Sequence, residues 1–288
     1  MRDSGPQTSE ATVRAAYPTM ARGEVQNISA RFRRIWKKDH RRLLHVLHWH
    51  HPGAVWAMDH TEPARLVDGL YRYVLNIRDL ASGMQLAWLP LEDETAELAD
   101  YTLETLFHQY GPPLILKSDN GAPFIAADTH KLLNRWNVFP LFSPPRTPEY
   151  NGSSEASNGA MKTRTNHEAA GQGRPGCWAC DDLETAQWFA NHVHRPWGNR
   201  GLTRREVWDQ RSLISETQRV AFGHSLVQHR EAVRLAQGYT PEETLGRQAQ
   251  AKVDRVAISL ALVEHGFLTF TRRSITSPLT AHFPINIS

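Results

Sequence analysis

Three acids stand where metal-dependent phosphoryl chemistry would need them. Asp59 closes the apolar run in VWAMDHTE, Asp119 closes the run LILKSDNG, and Glu155 lies in NGSSEASNG. Thirty-five residues separate Asp119 from Glu155, and the chain holds 30 acids. That spacing alone therefore selects nothing, and the local context must decide. Two of the acids end strand-like runs, the third opens a helix-like run, and each has Gly, Asn or Thr neighbours that keep the backbone open. Carboxylates that converge in one cleft repel one another and raise the cost of ionising them. A divalent cation with hard oxygen ligands, Mg²⁺ or Mn²⁺, relieves that repulsion and also binds phosphates. Two such ions about 4 Å apart can activate an attacking oxygen and stabilise the leaving one in an in-line phosphodiester displacement.

The elements that must position these acids can be read from period and punctuation. AVWAMDHTE, GLYRYVLNIRD and MQLAWLPL are rich in aromatic and β-branched residues and are separated by turns at Asp68-Gly69 and Ser82-Gly83; they predict an antiparallel meander. EDETAELADYTLETLFHQY begins with acids and places Ala96, Ala99, Leu103, Leu106, Phe107 and Tyr110 on one helical face before Gly111-Pro112-Pro113 stops it. A fourth strand then ends at Asp119. A helix through Leu132, Leu133 and Trp136, the strand NVFPLF and a last helix complete the order βββαβαβα. The segment Pro144 to Pro148 is expected to be non-helical, with Ser153 or Ser154 capping a helix that carries Glu155 in its first turn.

Composition bounds the rest. A chain of 288 residues with 40% apolar and 22% charged residues can bury one sizeable core with smaller appendages. No apolar run reaches the roughly 18 residues of a membrane span, and MRDSGPQTSE lacks the order of a secretory signal. Cys177 and Cys180 are the only cysteines, which leaves no disulfide framework. Together these predict a cytoplasmic protein. The net charge of +3 names no partner, but RFRRIWKKDHRR, residues 31–42, sets seven basic residues against one acid, with Phe32 and Trp36 interleaved. This is either a phosphate-facing patch or a solvated helix face.

These stretches resemble the retroviral-integrase-type core of the DDE transposases. The matching pieces are VWAMDHTE, IRDLASG, YGPPLILKSDNGAPF, SPPRTPEYNGSSEASNGAMKTR and, more loosely, ANHVHRPWGNRGLTRREVW, in that order from Val55 to Trp208. The resemblance implies an α/β, RNase H-like fold, a mixed five-stranded sheet flanked by helices. It also implies that Asp59, Asp119 and Glu155 form a metal-binding catalytic triad served by two Mg²⁺ ions, with Mn²⁺ as a substitute. The implied activity is a metal-dependent cut at the ends of a mobile element that frees 3′ hydroxyls, followed by attack of those hydroxyls on target DNA, with no covalent enzyme intermediate. The implied partners are element-end and target DNA, and a homo-multimer bridging two DNA ends. A nuclease of the same fold that only hydrolyses, and a silent DNA-binding remnant, are the alternatives.

Further DNA contacts are expected from Lys162, Asn120, Arg146 and Arg164. Lys162 lies two helical turns beyond Glu155, on the same face, and is otherwise an ordinary surface lysine. Asn120 either orients a group at the site or simply makes an Asn-Gly turn. Arg146 rides on the Pro-rich loop before Glu155. His45, His48, His50 and His51 crowd together, but the single C-x-x-C lies more than a hundred residues away, so a shared zinc site is not expected; Trp178 should instead pack a loop ahead of LETAQWFANHV. The expected division is a polar then basic segment over residues 1–50, a catalytic core over 51–213 and a helical and strand-like appendage over 214–288. No helix-turn-helix is evident before the core, and LTRREVW has Arg204 where the family often has a proline. The Arg272-Arg273 pair belongs either to a DNA-contacting appendage or to a packing or multimer element.

Overall fold

The computed structural model describes residues 8–39, 41–144, 148–240 and 242–276. It divides into two compact units, Met1–His48 with Phe270–Ser288, and Trp49–Thr269. In the first unit, α1 (Glu10–Ala16) is capped by Ser9, whose Oγ accepts from the Thr12 amide at 3.0 Å. The longer α2 (Arg22–Asp39) buries Val25, Ser29 and Trp36. Residues 1–30 are weakly patterned in the sequence, and the structure places α1 and the start of α2 within them. Helix α2 is amphipathic, with Val25, Ile28, Phe32, Ile35 and Trp36 recurring at helical spacing among its basic residues, whereas the short α1 is carried by good helix formers such as Ala, Arg and Glu. Strand β1 (Arg41–Trp49) follows.

The second unit is built on a five-stranded sheet. Strands β2 (Val55–Thr61), β3 (Tyr73–Asp79) and β4 (Gln85–Leu91) form the expected antiparallel meander. Helix α3 (Ala96–Tyr110), capped by Thr95, buries Ala99, Leu103, Leu106 and Phe107. It leads into β5 (Ile115–Ser118), a 3₁₀ turn over Ala122–Ile125, α4 (Ala127–Arg135) and β6 (Phe139–Phe142). Helix α5 runs over Pro148–Gly171. The strand order is β4-β3-β2-β5-β6, with β5 parallel to both β2 and β6. The mixed, helix-flanked sheet and the order βββαβαβα are those expected from the sequence.

Residue alternation divides the strands between two helical layers. Trp56, Met58, Leu75, Ile77 and Leu116 pack with α3 and α4 around Phe107 and Leu133. On the other face, Val74 and Trp88 meet Met161 of α5 and Leu183, Ala186 and Ala190 of α6 (Cys180–His192). Both faces of β2 are covered, so its residues Val55 to Met58 are all buried; this is why the run reads as continuously apolar rather than alternating. Trp178, 5% exposed, packs into this layer just ahead of α6, as expected.

After α6, α7 (Arg204–Asp209) opens with a reciprocal cap. Thr203 Oγ1 accepts from the Glu206 amide at 3.2 Å, and Glu206 Oε2 accepts from the Thr203 amide at 2.7 Å. Arg204 occupies the first helical position and donates to the Ala190 carbonyl at 2.8 Å. Helices α8 (Glu216–Ala236) and α9 (Arg247–Glu264) then pack Phe222, Leu226, Ala257, Ile258 and Leu262 against Val55, Ile115 and Leu141 of the sheet. The last element, β7 (Leu268–Thr276), pairs with β1 in a separate two-stranded sheet.

Candidate active site

In strands, side chains alternate between faces, so Ala57 and Asp59 share the face of β2 opposite Trp56 and Met58. In the parallel neighbour, Ile115, Lys117 and Asp119 share that same face, and Ala57 lies in register with Lys117. This carries Asp59 and Asp119 to the ends of two adjacent central strands, where they line one small pocket with Lys117 and with Ser154 of α5. Asp59 stands two residues inside its strand, and Asp119 immediately follows β5.

The backbone around Asp119 explains the DNG sequence. The Gly121 amide donates to Asp119 Oδ1 at 2.8 Å, and a Cβ on Gly121 would stand 3.0 Å from that same oxygen. Any side chain there would press on the carboxylate and displace it by a few tenths of an ångström. Asn120 Nδ2 donates to the Ser143 carbonyl at 2.7 Å, which ties the turn after β5 to the chain leaving β6. That is a structural task the sequence reading did not assign to it.

Electrostatics at the pair are unfavourable without a cation. Asp59 is raised from 3.8 to about 6, first by burial and then by the negative charge of Asp119; a hydrogen bond from Asn158 opposes the shift. Burial lowers His60 to about 4 despite Asp119, so it is a neutral ring at neutral pH, stacked on Phe124 at 4.9 Å. Lys117 is lowered to about 8 by burial and by Arg78, with Asp59 opposing.

Sequence reasoning missed the polar scaffold behind Asp59. Asn158 Nδ2 donates to Asp59 Oδ2 at 2.8 Å, and Asn76 Nδ2, from the strand residue paired with Asp59, donates to Asn158 Oδ1 at 2.8 Å. Buried Gln85 accepts from Trp88 Nε1 at 3.0 Å, and its main chain is clamped by Asn191 of α6, with both bonds at 2.9 Å. Asn158 lies three residues after Glu155 on one helix, and that spacing was the only signal available in the sequence.

Glu155 corrects the helix expectation. Helix α5 begins at Pro148, so Glu155 lies in its third turn and the Asn151-Gly152 pair is helical. Proline suits a first helical position because its missing N–H would have no partner there. Glu155 is exposed, and it neighbours the pocket-lining Ser154 without itself lining the pocket. Among the described residues, no three His, Cys, Asp or Glu side chains are grouped closely enough to hold a metal. The donor set formed here is therefore Asp59 with Asp119. Two repelling carboxylates of this kind fit a hard divalent cation that keeps several waters.

Lys162 is half-buried two turns along α5 from Glu155. Arg164 lies over the Phe189 ring at 5.4 Å, and its nine-residue offset points it away from the Glu155 face. Arg146 lies outside the described residues.

Residues 49–148 match the family model of the integrase core domain, a span that includes Asp59 and Asp119 and ends before Glu155. The chain is 33% identical over 112 residues to the Gag-Pol polyprotein of feline leukemia virus, covering 38% of this chain and 6% of that protein. It is 30% identical over 114 residues to the Pol polyprotein of radiation murine leukemia virus (strain Kaplan), covering 39% and 19%. The chain thus spans less than a fifth of the length of these relatives. Among solved structures, it is similar to the simian T-cell lymphotropic virus intasome in complex with PP2A regulatory subunit B56 gamma. That match has a TM-score of 0.50 at 18% identity and covers 71% of this chain and 76% of that one. At that identity, the match speaks to the fold.

Proposed function

We propose, from the integrase core that residues 49–148 carry, that this protein is a polynucleotidyl transferase that cuts and joins DNA strands in transposition. The observation that supports this most is the convergence of Asp59 and Asp119 in one pocket beside Ser154, the neighbour of Glu155. In this reading all three acids hold Mg²⁺, with Mn²⁺ as a substitute. Two bound ions would supply charge stabilisation and a more acidic attacking oxygen.

The chain's own residues do the positioning. Asn158 holds Asp59 by Oδ2 and the Gly121 amide holds Asp119 by Oδ1, and the two carboxylates so oriented would hold the cation. Glu155, exposed and next to the pocket-lining Ser154, would complete the set. In the first reaction a water oxygen forms a bond to phosphorus as the bond to a 3′ oxygen breaks. In the second, that 3′ oxygen attacks a target phosphorus and displaces another 3′ oxygen. The first step breaks a phosphodiester by hydrolysis; in the second, one phosphodiester forms as one breaks, so the joining requires no external energy source.

Lys162, Asn120, Arg146 and Arg164 remain proposed DNA contacts, of which Arg164 has the least geometric support. The proposed partners are element-end and target DNA and further copies of this chain. No helix among the described residues is long and apolar enough to cross a membrane, and we place the protein in the cytoplasm. Residues 1–50 and the region after 213 are proposed to flank the catalytic core, with α8 and α9 buttressing its sheet.

The test is a strand-transfer assay in Mg²⁺, with labelled duplexes from DNA flanking the gene and a supercoiled plasmid target, comparing wild type with Glu155→Gln. Joined products from wild type alone are expected. Nicking without joining would replace this reading with a hydrolytic nuclease. DNA binding that survives Glu155→Gln, with no cleavage by either protein, would indicate a silent remnant.

A further inference from the structure

A groove of about 970 Å³ opens beside the Asp119–Gly121 turn, within the second unit. Its lining brings together Asn120, His130 and Phe142 with the first half of α9, including Arg247, Lys252 and Arg255. Asp254 is the one acid among the described residues that line it, and it is taken up by Arg230, whose Nε donates to it at 2.7 Å. Arg247 and Lys252 are exposed and make no ion pair to a described residue. Arg255 is half-buried and reaches the Phe142 carbonyl at 3.4 Å.

The lining therefore carries three cations without a matching acid. Beside them the His130 and Phe142 rings lie 5.8 Å apart, tilted at 59°. Cations that track a backbone, interleaved with aromatic faces on which bases stack, are the chemistry of a single-stranded nucleic acid site. The groove also has one end fixed: Asn120 lines it, and the adjacent Asp119 lines the carboxylate pocket.

We infer that this groove binds a single DNA strand running from the carboxylates, with its phosphates against Arg247, Lys252 and Arg255 and its bases against His130 and Phe142. The inference rests on the strand-transfer reading for the identity of the polymer. The groove's charge and aromatic lining support it independently. An unpaired strand at this point fits the chemistry, because a strand freed at its cut end can carry its 3′ hydroxyl to a new phosphorus.

The test is fluorescence anisotropy with a labelled single-stranded oligonucleotide and a duplex of equal length. The full chain carries Glu155→Gln to prevent cleavage, with and without Lys252→Glu, Arg247→Glu and His130→Ala. Each lost cation is expected to make the slope of log affinity against log salt shallower by about 0.7 on the single strand. His130→Ala should weaken single-strand binding several-fold without changing that slope. Lys252→Arg should bind as the parent does, which separates charge from a folding defect. Unchanged affinity and slope in both charge reversals would overturn the inference, as would losses confined to the duplex. Strand transfer by the otherwise wild-type chain is measured in parallel. Joining that persists alongside unchanged binding sinks the groove and leaves the strand-transfer reading intact. Groove-dependent binding without any joining does the reverse.

Discussion

Asn158 and Asp59 are 99 positions apart and share a 2.8 Å hydrogen bond that fastens α5 to the central strand of the sheet. Because Asn76, the strand partner of Asp59, donates to the same Asn158 side chain, the amide is held at both ends and its orientation is fixed. Asn158→Ala removes a donor that favours ionised Asp59. Metal affinity or cleavage should fall about 10- to 100-fold, as for other residues that orient a metal ligand. A Mg²⁺ titration of the cleavage rate checks this: the apparent Mg²⁺ requirement rises if Asn158 orients Asp59 and stays put if it only fills space.

The raised value of Asp59 makes a pH prediction for the metal-free protein. Its folded value, about 6, exceeds the unfolded reference of 3.8. The associated stability is therefore fully present below about pH 4 and is lost as pH rises through 6. The shift corresponds to roughly 2–3 kcal/mol. Asp59→Asn should be more stable than wild type at pH 7.5 and nearly equal to it at pH 4. Mg²⁺ should raise the melting temperature of wild type but not of the variant. Thermal unfolding at the two pH values, with and without Mg²⁺, reads all of these differences.

Gly121→Ala should separate activity from stability. The added Cβ would stand 3.0 Å from Asp119 Oδ1 and 3.4 Å from the Phe124 ring, so the carboxylate must move. Cleavage should drop at least tenfold, while urea unfolding shifts by only about 1 kcal/mol. Gly223→Ala offers the contrast: it lies inside α8, and its Cβ would meet Phe139 at an ordinary 3.6 Å. It should stabilise the fold by about 0.5–1 kcal/mol with cleavage unchanged.

Arg219 tests whether α8 is integral to the core. It is 7% exposed and donates to the Pro112, Pro113 and Asn137 carbonyls at 2.7, 2.8 and 2.9 Å, joining α8 to the chain entering β5 and the chain entering β6. Arg219→Met leaves those carbonyls without their donor and should cost about 2–4 kcal/mol. Urea denaturation followed by tryptophan fluorescence should show one cooperative transition moved to lower urea. A variant that melts α8 alone and leaves the sheet's transition in place would mean that α8 folds separately.

The sequence by itself determined the elements of the core and the identity of its two strand-end acids. Val55–Met58 and Leu114–Leu116 are apolar runs stopped by Asp59 and by Asp119-Asn120-Gly121, and both period and turn chemistry are local properties that neighbouring residues impose. It misjudged elements whose local signal is ambiguous. Pro148 reads as a breaker and Asn151-Gly152 as a turn, yet both lie in α5, where proline's missing donor costs nothing at the helix start. In α1 only Val13 marks a buried face, and in α2 the apolar positions are interleaved with basic residues. Tertiary structure alone decided which polar groups meet: the register of β2 against β3 and β5 brings Asp59 beside Asp119 and Asn76, and the crossing of α5 over that face delivers Asn158. The cationic wall of α9 comes within reach of Asn120 only because α8 and α9 pack on the far end of the same face. Each of these partners is distant in the chain, and a buried asparagine or glutamine looks like any surface one until the group that satisfies it is in place.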